Sequence, residues 1–431
     1  MNQTGLAGGL GEAERLAPKS ERKIRIGIVF GSDFQGNPPG GGQPTIEIFL
    51  KYAQNKPYDI WLLGMSTRSE EPVGCRSTRT IYGREYPFIP LFRFDAKRYS
   101  NKRPLIPLRL QALWGYLRQR HEVNSLHFDL LYLHAPEALP FLWGKRQPVL
   151  YHVHGTQESA AAYSRYPIFK TRLFSYPYRA WIGSILKRAD EFIVIDQESY
   201  DLYARRIPEK KERLHLLPTA IDVEQFRTLP GLNRTEVRCS FGVPAEGKMV
   251  LYVGRLSWKK GVDLILRAFS IVQSRQPDAF LAIAGDGEDR VALERLAGEL
   301  RINSRVFFLG QVPHLPARQL PLLLNCADVS VVASFHESLA LVITEALACG
   351  VPVISTPVGI APAVIRDGTT GYLMRSRDPA EMAQHILRIV REGTYNSAEC
   401  VAEAHRFAAT SRSICDVIDG LLPSQPRLQP Y

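Results

Sequence analysis

Four short segments carry residue types that could do chemistry: a pair of cations, a pair of carboxylates, a glycine-rich loop and two histidines. Val253-Gly254-Arg255-Leu256-Ser257-Trp258-Lys259-Lys260-Gly261 sets a guanidinium and an ammonium five positions apart. A strand ending at Arg255 and a helix beginning at Lys260 let both cations reach one diphosphate, the first as a planar fork of donors and the second as a mobile point charge. There they would neutralise charge growing on a departing nucleotide. A solvated basic turn has the same residues.

Glu337-Ser338-Leu339-Ala340-Leu341-Val342-Ile343-Thr344-Glu345 places two carboxylates eight positions apart, one before a helix and one inside it. At helical rise they would stand about 12 Å apart. That span suits one acid on the hydroxyls of a sugar and the other on those of a ribose, with a diphosphate between them near the helix N-terminus. An N-terminal capping acid for Glu337 and a salt-bridged acid for Glu345 are the plain alternatives.

Gly40-Gly41-Gly42-Gln43-Pro44-Thr45 follows the first strand and leads into a helix expected over Ile46–Ala53. Three glycines allow close backbone approach, and the helix N-terminus suits a phosphate. The spacing is neither a Walker loop nor G-x-G-x-x-G, and a plain loop fits equally. Tyr151-His152-Val153-His154-Gly155-Thr156 ends another strand. Alternation puts His152 and His154 on one side, with His154 nearer the carboxyl end. His154 could donate a hydrogen bond or handle a proton, whereas His152 reads as a core histidine.

These segments need strands to hold them. Apolar, β-branched runs recur at Ile24–Phe30, Tyr58–Met65, Asp129–His134, Pro148–His154, Glu191–Asp196 and Arg213–Pro218, then at Met249–Arg255, Phe280–Gly285, Arg305–Gly310, Asp328–Ser334 and Pro352–Thr356. Runs apolar throughout suit parallel strands covered on both faces. Their alternation with amphipathic stretches predicts two doubly wound α/β domains, which bind ligands at the carboxyl ends of their strands. The expected division is 1–217 and 218–407, with a C-terminal helix at about 408–431 able to pack back on the first. Glu70–Pro107 reads as an inserted loop region or irregular hairpin. Gly285-Asp286-Gly287-Glu288 reads as a turn with capping residues, and Asp367–Gly371 as a hairpin-like turn before a short strand.

Composition agrees with this. The chain has 431 residues, 45% hydrophobic and 23% charged, enough for two or three domains and too apolar for global disorder. Net charge is +11, and all of it falls in residues 1–215, with 32 basic and 21 acidic side chains against 22 of each in 216–431. An anionic partner for the first half, or simply a soluble basic surface, follows. Between Glu158 and Asp190 no acid interrupts a mix of aromatics and bases from Tyr163 to Arg188. That stretch could meet an anionic lipid surface or a lipid diphosphate, or form helices with aromatics inward. Six scattered cysteines without C-x-x-C pairs fit buried thiols in a reducing compartment, and no metal-ligand spacing is present. Met1–Leu16 lacks the features of a secretory signal. The longest apolar stretch, Leu339–Thr356, is broken by Glu345, Gly350 and Pro352, and reads as a helix and then a strand rather than a membrane span.

Taken together, the segments resemble the GT-B glycosyltransferases of family 4, the large retaining group that includes bacterial mannosyl- and glucosyltransferases. VGRLSWKKG matches that family's phosphate-binding turn, and ESLALVITEALACGVPVIST its Glu-x7-Glu segment with the helix and strand that follow. AIAGDGEDRVALERLA and RVFFLGQV fall in order between them, LLPTAIDVEQF resembles the interdomain connector, and GGGQ and HVHGT carry the likeness in the first half.

The resemblance implies that Arg255 and Lys260 bind a donor diphosphate. It implies that Glu337 and the amides of Ser338, Leu339 and Ala340 hold the donor sugar, and that Glu345 holds the ribose. The Gly40, Gly41 and Gly42 loop would close over the diphosphate from the other domain, and His154 would stand beside the reacting sugar. The expected activity is transfer of a hexose from a UDP- or GDP-linked donor, with retention and without cofactor or metal, to a sugar, lipid-linked or glycoconjugate acceptor, in polysaccharide, glycolipid or glycoconjugate synthesis. A cytoplasmic protein with a peripheral seat on an anionic inner membrane face fits this. A phosphorylase or nucleotide-sugar epimerase of the same architecture is the alternative, with a nucleic-acid binder behind it, although no nucleic-acid motif is present. The chain departs from the family at Leu339-Ala340, where Phe-Gly is common, at Thr219-Ala220, where Asn-Gly is common, and at Gly359-Ile360-Ala361-Pro362-Ala363, where an acid is lost.

Overall fold

The computed structural model describes residues 23–34, 42–94, 108–135, 138, 147–154, 171–218, 221–312, 319–406 and 410–422. Gly40, Gly41, Gly155, Thr219, Ala220, most of Tyr163–Thr171 and both chain ends lie outside them.

Every apolar run named above becomes a strand or contains one. Residues 24–216 form an eight-stranded sheet from β1 (Ile24–Val29), β2 (Tyr58–Ser66), β3 (Ser77–Ile81), β4 (Arg84–Arg93), β5 (Leu130–Leu133), β6 (Val149–Val153), β7 (Glu191–Val194) and β8 (Leu214–Leu216), in the order β3-β4-β2-β1-β5-β6-β7-β8. All neighbours are parallel except β3 and β4. The second sheet holds β9 (Met249–Val253), β10 (Phe280–Ala284), β11 (Val306–Gly310), β12 (Val329–Val332), β13 (Val353–Ser355) and β14 (Gly371–Leu373), all parallel, in the order β11-β10-β9-β12-β13-β14. Each sheet is covered on both faces by apolar side chains, which is why its strands show no polar alternation.

One local expectation resolves and two need correction. The hairpin alternative for Glu70–Pro107 holds in its described part: β3 and β4 are an antiparallel hairpin whose second strand joins β2 in parallel. The hairpin is anchored by Arg79, 1% exposed, which binds both carboxylate oxygens of Glu71 and the carbonyl of Asp33. Its charged buried strand hid it from an apolar-run reading. The Asp367–Gly371 turn makes no hairpin, because the strand it enters pairs in parallel with β13. Four cysteines are buried, but Cys75 and Cys239 are exposed.

The helix Thr410–Leu421 sends Ile414, Cys415 and Ile418 into the core of the first sheet, where Lys56 and Tyr58 both bind Asp419. In helix Arg172–Arg188, Ile182, Ile185 and Leu186 pack inward while Tyr176 and Lys187 face out. No helix among the described residues is long and apolar enough to cross a membrane.

Candidate active site

In the second sheet β9 lies beside β12, where the winding reverses, so a crevice opens at the carboxyl ends of these two strands. Both charged segments emerge there. After β9 the chain makes a single 3-10 turn, Trp258–Lys260, closed by Gly261 in the left-handed region at φ 62°. A Cβ on Gly261 would lie 2.2 Å from the carbonyl oxygen of Ala333, so only glycine lets the turn rest on the end of β12. The Phe335 amide completes the seam by donating to the Lys259 carbonyl at 2.8 Å. Lys260 therefore ends the turn and does not start the helix, which runs Val262–Arg275. Its Nζ meets Glu337 Oε1, the same oxygen that accepts from Ser334 Oγ at 2.7 Å.

Arg255 stands apart from this pair. Its side chain is 64% exposed, and its Nε contacts Glu288 Oε2 at 3.3 Å. Its carbonyl accepts from the Tyr252 hydroxyl at 3.0 Å, which fixes the turn under it. Glu288, expected only to cap a helix, is thus the ion-pair partner of Arg255.

The helix after Glu337 begins only at Leu341 and runs to Ala348. Ala340 precedes it at φ 61°, ψ 61°, a left-handed conformation a glycine would take without strain. The Ile360 amide donates to the Leu339 carbonyl at 2.9 Å, pinning the loop from behind. The stretch Glu337–Ala340 is therefore not helical, and a spacing computed from helical rise does not apply to the two acids. They also face different surroundings. Glu337 joins Lys260, while Glu345 is 5% exposed and lines a narrow gap whose other wall comes from the first lobe, including Glu47 and Ile48, and from Asp222 of the connector. Lys51 clamps that gap, binding Asp222 at 2.8 Å and Glu224 at 2.6 Å.

The first lobe has its own reversal, between β1 and β5. Gly42, the described end of the glycine loop, opens helix Gly42–Tyr52, four residues earlier than expected. A Cβ there would come within 2.8 Å of the Phe30 ring and 3.4 Å of His154 Cε1, so the loop end and His154 meet. His154 stacks on His152, with ring centroids 4.5 Å apart and planes 12° apart. Burial pulls the His154 imidazole down to about 4, and burial together with the neighbouring imidazoles holds His134 and His152 well below the ordinary range. At neutral pH His154 is thus a neutral hydrogen-bonding group rather than a cation.

Sequence reasoning missed two groups at these ends. The apolar run marks Ser334 only as a strand end, although a hydroxyl three residues before Glu337 is placed to bind it. His134 closes β5 as His154 closes β6, and its Nδ1 lies 2.9 Å from His154 Nε2. A histidine at a strand's carboxyl end was the available signal. Among the described residues, no group of three or more His, Cys, Asp or Glu side chains is arranged to hold a metal ion.

Two doubly wound lobes with charged loops at the carboxyl ends of their strands define the GT-B class of glycosyltransferase. Residues 39–225 match Glycosyltransferase Family 4 and residues 233–407 match Glycosyl transferases group 1, and the chain belongs to this family of glycosyltransferases. It is 33% identical over 251 residues to the D-inositol 3-phosphate glycosyltransferase of Mycobacterium leprae, covering 56% of each chain. Over 220 residues it is 33% identical to the corresponding enzyme of Mycobacterium tuberculosis, covering 50% of this chain and 44% of that one. The matched region spans about half the length of these relatives. Among solved structures, a sucrose-phosphate synthase from Thermosynechococcus elongatus superposes with a TM-score of 0.72 at 21% identity, over 93% of this chain and 99% of that one. HepE of Anabaena, solved with UDP-glucose, gives 0.67 at 19%, over 92% and 100%. These structures share the fold.

Proposed function

We propose that this protein transfers a hexose from a nucleotide-diphosphate donor to an acceptor hydroxyl with retention at the anomeric carbon, without a metal ion. The observation that carries the reading is the meeting of Lys260 and Glu337 at the reversal between β9 and β12, inside a glycosyltransferase family. A cation and an acid on adjacent loops suit a phosphate and a sugar hydroxyl bound side by side. UDP-glucose bound by HepE supports a UDP-linked donor, with a GDP-linked donor as the alternative.

In this reading Lys260 and Arg255 hold the diphosphate. Glu337 and the amides of Ser338, Leu339 and Ala340 hold the sugar, and Glu345 the ribose. The Gly40–Gly42 loop covers the diphosphate from the first lobe, and His154 donates to the sugar from that side. The acceptor hydroxyl attacks the anomeric carbon on the face from which the diphosphate leaves. The new carbon–oxygen bond forms as the carbon–phosphate-oxygen bond breaks, and the acceptor proton passes to the leaving phosphate. Lys260 and Arg255 stabilise the charge left there. Closure of the lobes excludes water from the reacting centre.

The basic first half supports an anionic acceptor, or a lipid-linked one at the cytoplasmic face of a membrane, in polysaccharide, glycolipid or glycoconjugate synthesis. A thermal-shift panel of nucleoside diphosphates and their sugars identifies the donor, since specific binding raises apparent stability. Proton NMR of the product then reads the anomeric configuration, with chelator present throughout. Acceptor-dependent release of nucleoside diphosphate and an unchanged anomer are expected. Release without acceptor, an inverted product, loss of activity in chelator, or epimerised donor overturns the reading.

A further inference from the structure

The three histidines at the first lobe's strand ends form a layered stack. His134 lies 4.8 Å from His152 and 5.1 Å from His154 between ring centroids, with planes within 28° of each other. The Phe30 ring stands edge-on to His134 at 5.8 Å. Within the stack, His134 Nδ1 meets His154 Nε2 at 2.9 Å, and the Tyr132 hydroxyl meets His152 Nδ1 at 2.7 Å. His134 is 5% exposed and His152 1%. The Nε2 atoms of both lack a hydrogen-bond partner among the described residues.

A bond between two neutral imidazoles has one donor and one acceptor, so it couples their tautomers. If His154 Nε2–H donated, His134 would carry its own proton on Nε2, a buried N–H with nothing to receive it. If His134 Nδ1–H donates, His134 Nε2 is a bare ring nitrogen. Orphaned buried N–H groups are the rarer and costlier outcome. The second arrangement leaves His154 protonated on Nδ1. Cε1, which lies between the two ring nitrogens, is the His154 atom nearest Gly42, and with Nε2 taken by His134 the Nδ1–H is the one donor left for a ligand.

We infer that His134 is a positioning residue that holds His154 in the Nδ1–H tautomer and locks its ring, so that the single N–H of His154 is left for a ligand. The inference rests on the proposed place of His154 beside the donor sugar for its catalytic consequence, but not for the tautomer itself. His134 touches no substrate in this arrangement. It acts through His154, as the orienting group behind a working imidazole does.

The test uses the full-length protein labelled with 15N-histidine, without substrate. The His154 resonances are identified by their loss in His154→Gln. In the wild type, Nδ1 of His154 is expected to carry the proton and Nε2 to be bare. His134→Phe keeps a ring in the stack but removes the donor, and the His154 proton is expected to move to Nε2 or to exchange between the two sites. His134→Asn, whose amide N–H can stand in for Nδ1–H, is expected to restore the wild-type pattern. In transfer assays His134→Phe is expected to lower kcat ~10-fold or more, with the donor KM within about twofold of wild type and most of the loss recovered in His134→Asn. A wild-type His154 protonated on Nε2 overturns the inference without any variant being made. So does an unchanged tautomer in His134→Phe when His154→Ala is impaired. Normal transfer by His154→Ala overturns the catalytic consequence and the reading of the site together.

Discussion

Lys260 and Glu337 are 77 positions apart in the chain and form an ion pair across the crevice between β9 and β12. Neither is deeply buried, with side-chain exposures of 29% and 16%, so the pair adds little to stability. It stands at the switch point, where open α/β sheets bind ligands, and the proposed function puts the donor there. Lys260→Ala is expected to slow transfer by ~100-fold or more, as loss of a transition-state charge contact does. Calorimetric affinity for the nucleoside diphosphate is expected to fall much less, because Arg255 remains. Near-normal turnover in the variant would remove Lys260 from the chemistry.

Ala340 sits in the left-handed region with an ordinary β-carbon. That conformation costs roughly 1–2 kcal/mol for an L-residue, while a glycine there loses about 0.4–1 kcal/mol through the unfolded chain. Ala340→Gly is therefore expected to leave stability unchanged or raise it by up to ~1.6 kcal/mol. Ala340→Val, β-branched at positive φ, is expected to lower it clearly. Denaturant midpoints of the two variants check the sign, and equal midpoints would contradict the assigned backbone.

The histidine stack makes a prediction about acid. Burial lowers His154 to about 4 in the folded chain, while an unfolded histidine titrates near 6.5. Below about pH 6.5 the unfolded chain binds more protons than the folded one, so stability falls as pH falls. His154 alone accounts for roughly 3 kcal/mol between pH 6.5 and 4, and His134 and His152 add in the same direction. Urea midpoints in steps from pH 7 to pH 4 should decline through this window, and less steeply in His154→Asn. A flat profile down to pH 4.5, where carboxylates begin to matter, would mean that the imidazoles are not held neutral.

The strands, their parallel pairing and the crevice they create were legible because fully covered strands leave unbroken apolar runs in the sequence. Lys260 and Glu337 were legible because each follows such a run. The hairpin of β3 and β4 was legible only as one of two readings, since Arg79, Glu71 and Ser77 satisfy one another by contacts that leave no periodic trace. The turn that separates Lys260 from its helix depends on Ala333 closing against Gly261, a tertiary contact across 72 positions that local spacing does not encode. His134 escaped for a similar reason. A lone histidine at a strand end gains meaning only when a neighbouring strand brings a second one beside it.

The helix Thr410–Leu421 gives a last test, because its hold on the first sheet depends on one carboxylate. Asp419 accepts from the Tyr58 hydroxyl and from Lys56 Nζ at 2.7 Å. Tyr58 is 2% exposed, and burial, reinforced by Asp419, pushes its phenol well above the usual range. Asp419→Ala leaves that hydroxyl buried without its acceptor, a loss of about 1–3 kcal/mol. Lys56→Ala removes only a half-exposed partner and is expected to cost under ~1 kcal/mol. In the double variant Tyr58→Phe with Asp419→Ala no stranded hydroxyl remains, so part of the loss should return. A denaturation cycle over these variants separates the two contacts. If Asp419→Ala costs no more than Lys56→Ala, the buried hydrogen bond is not what fastens the helix, and its apolar face of Ile414, Cys415 and Ile418 carries the attachment alone.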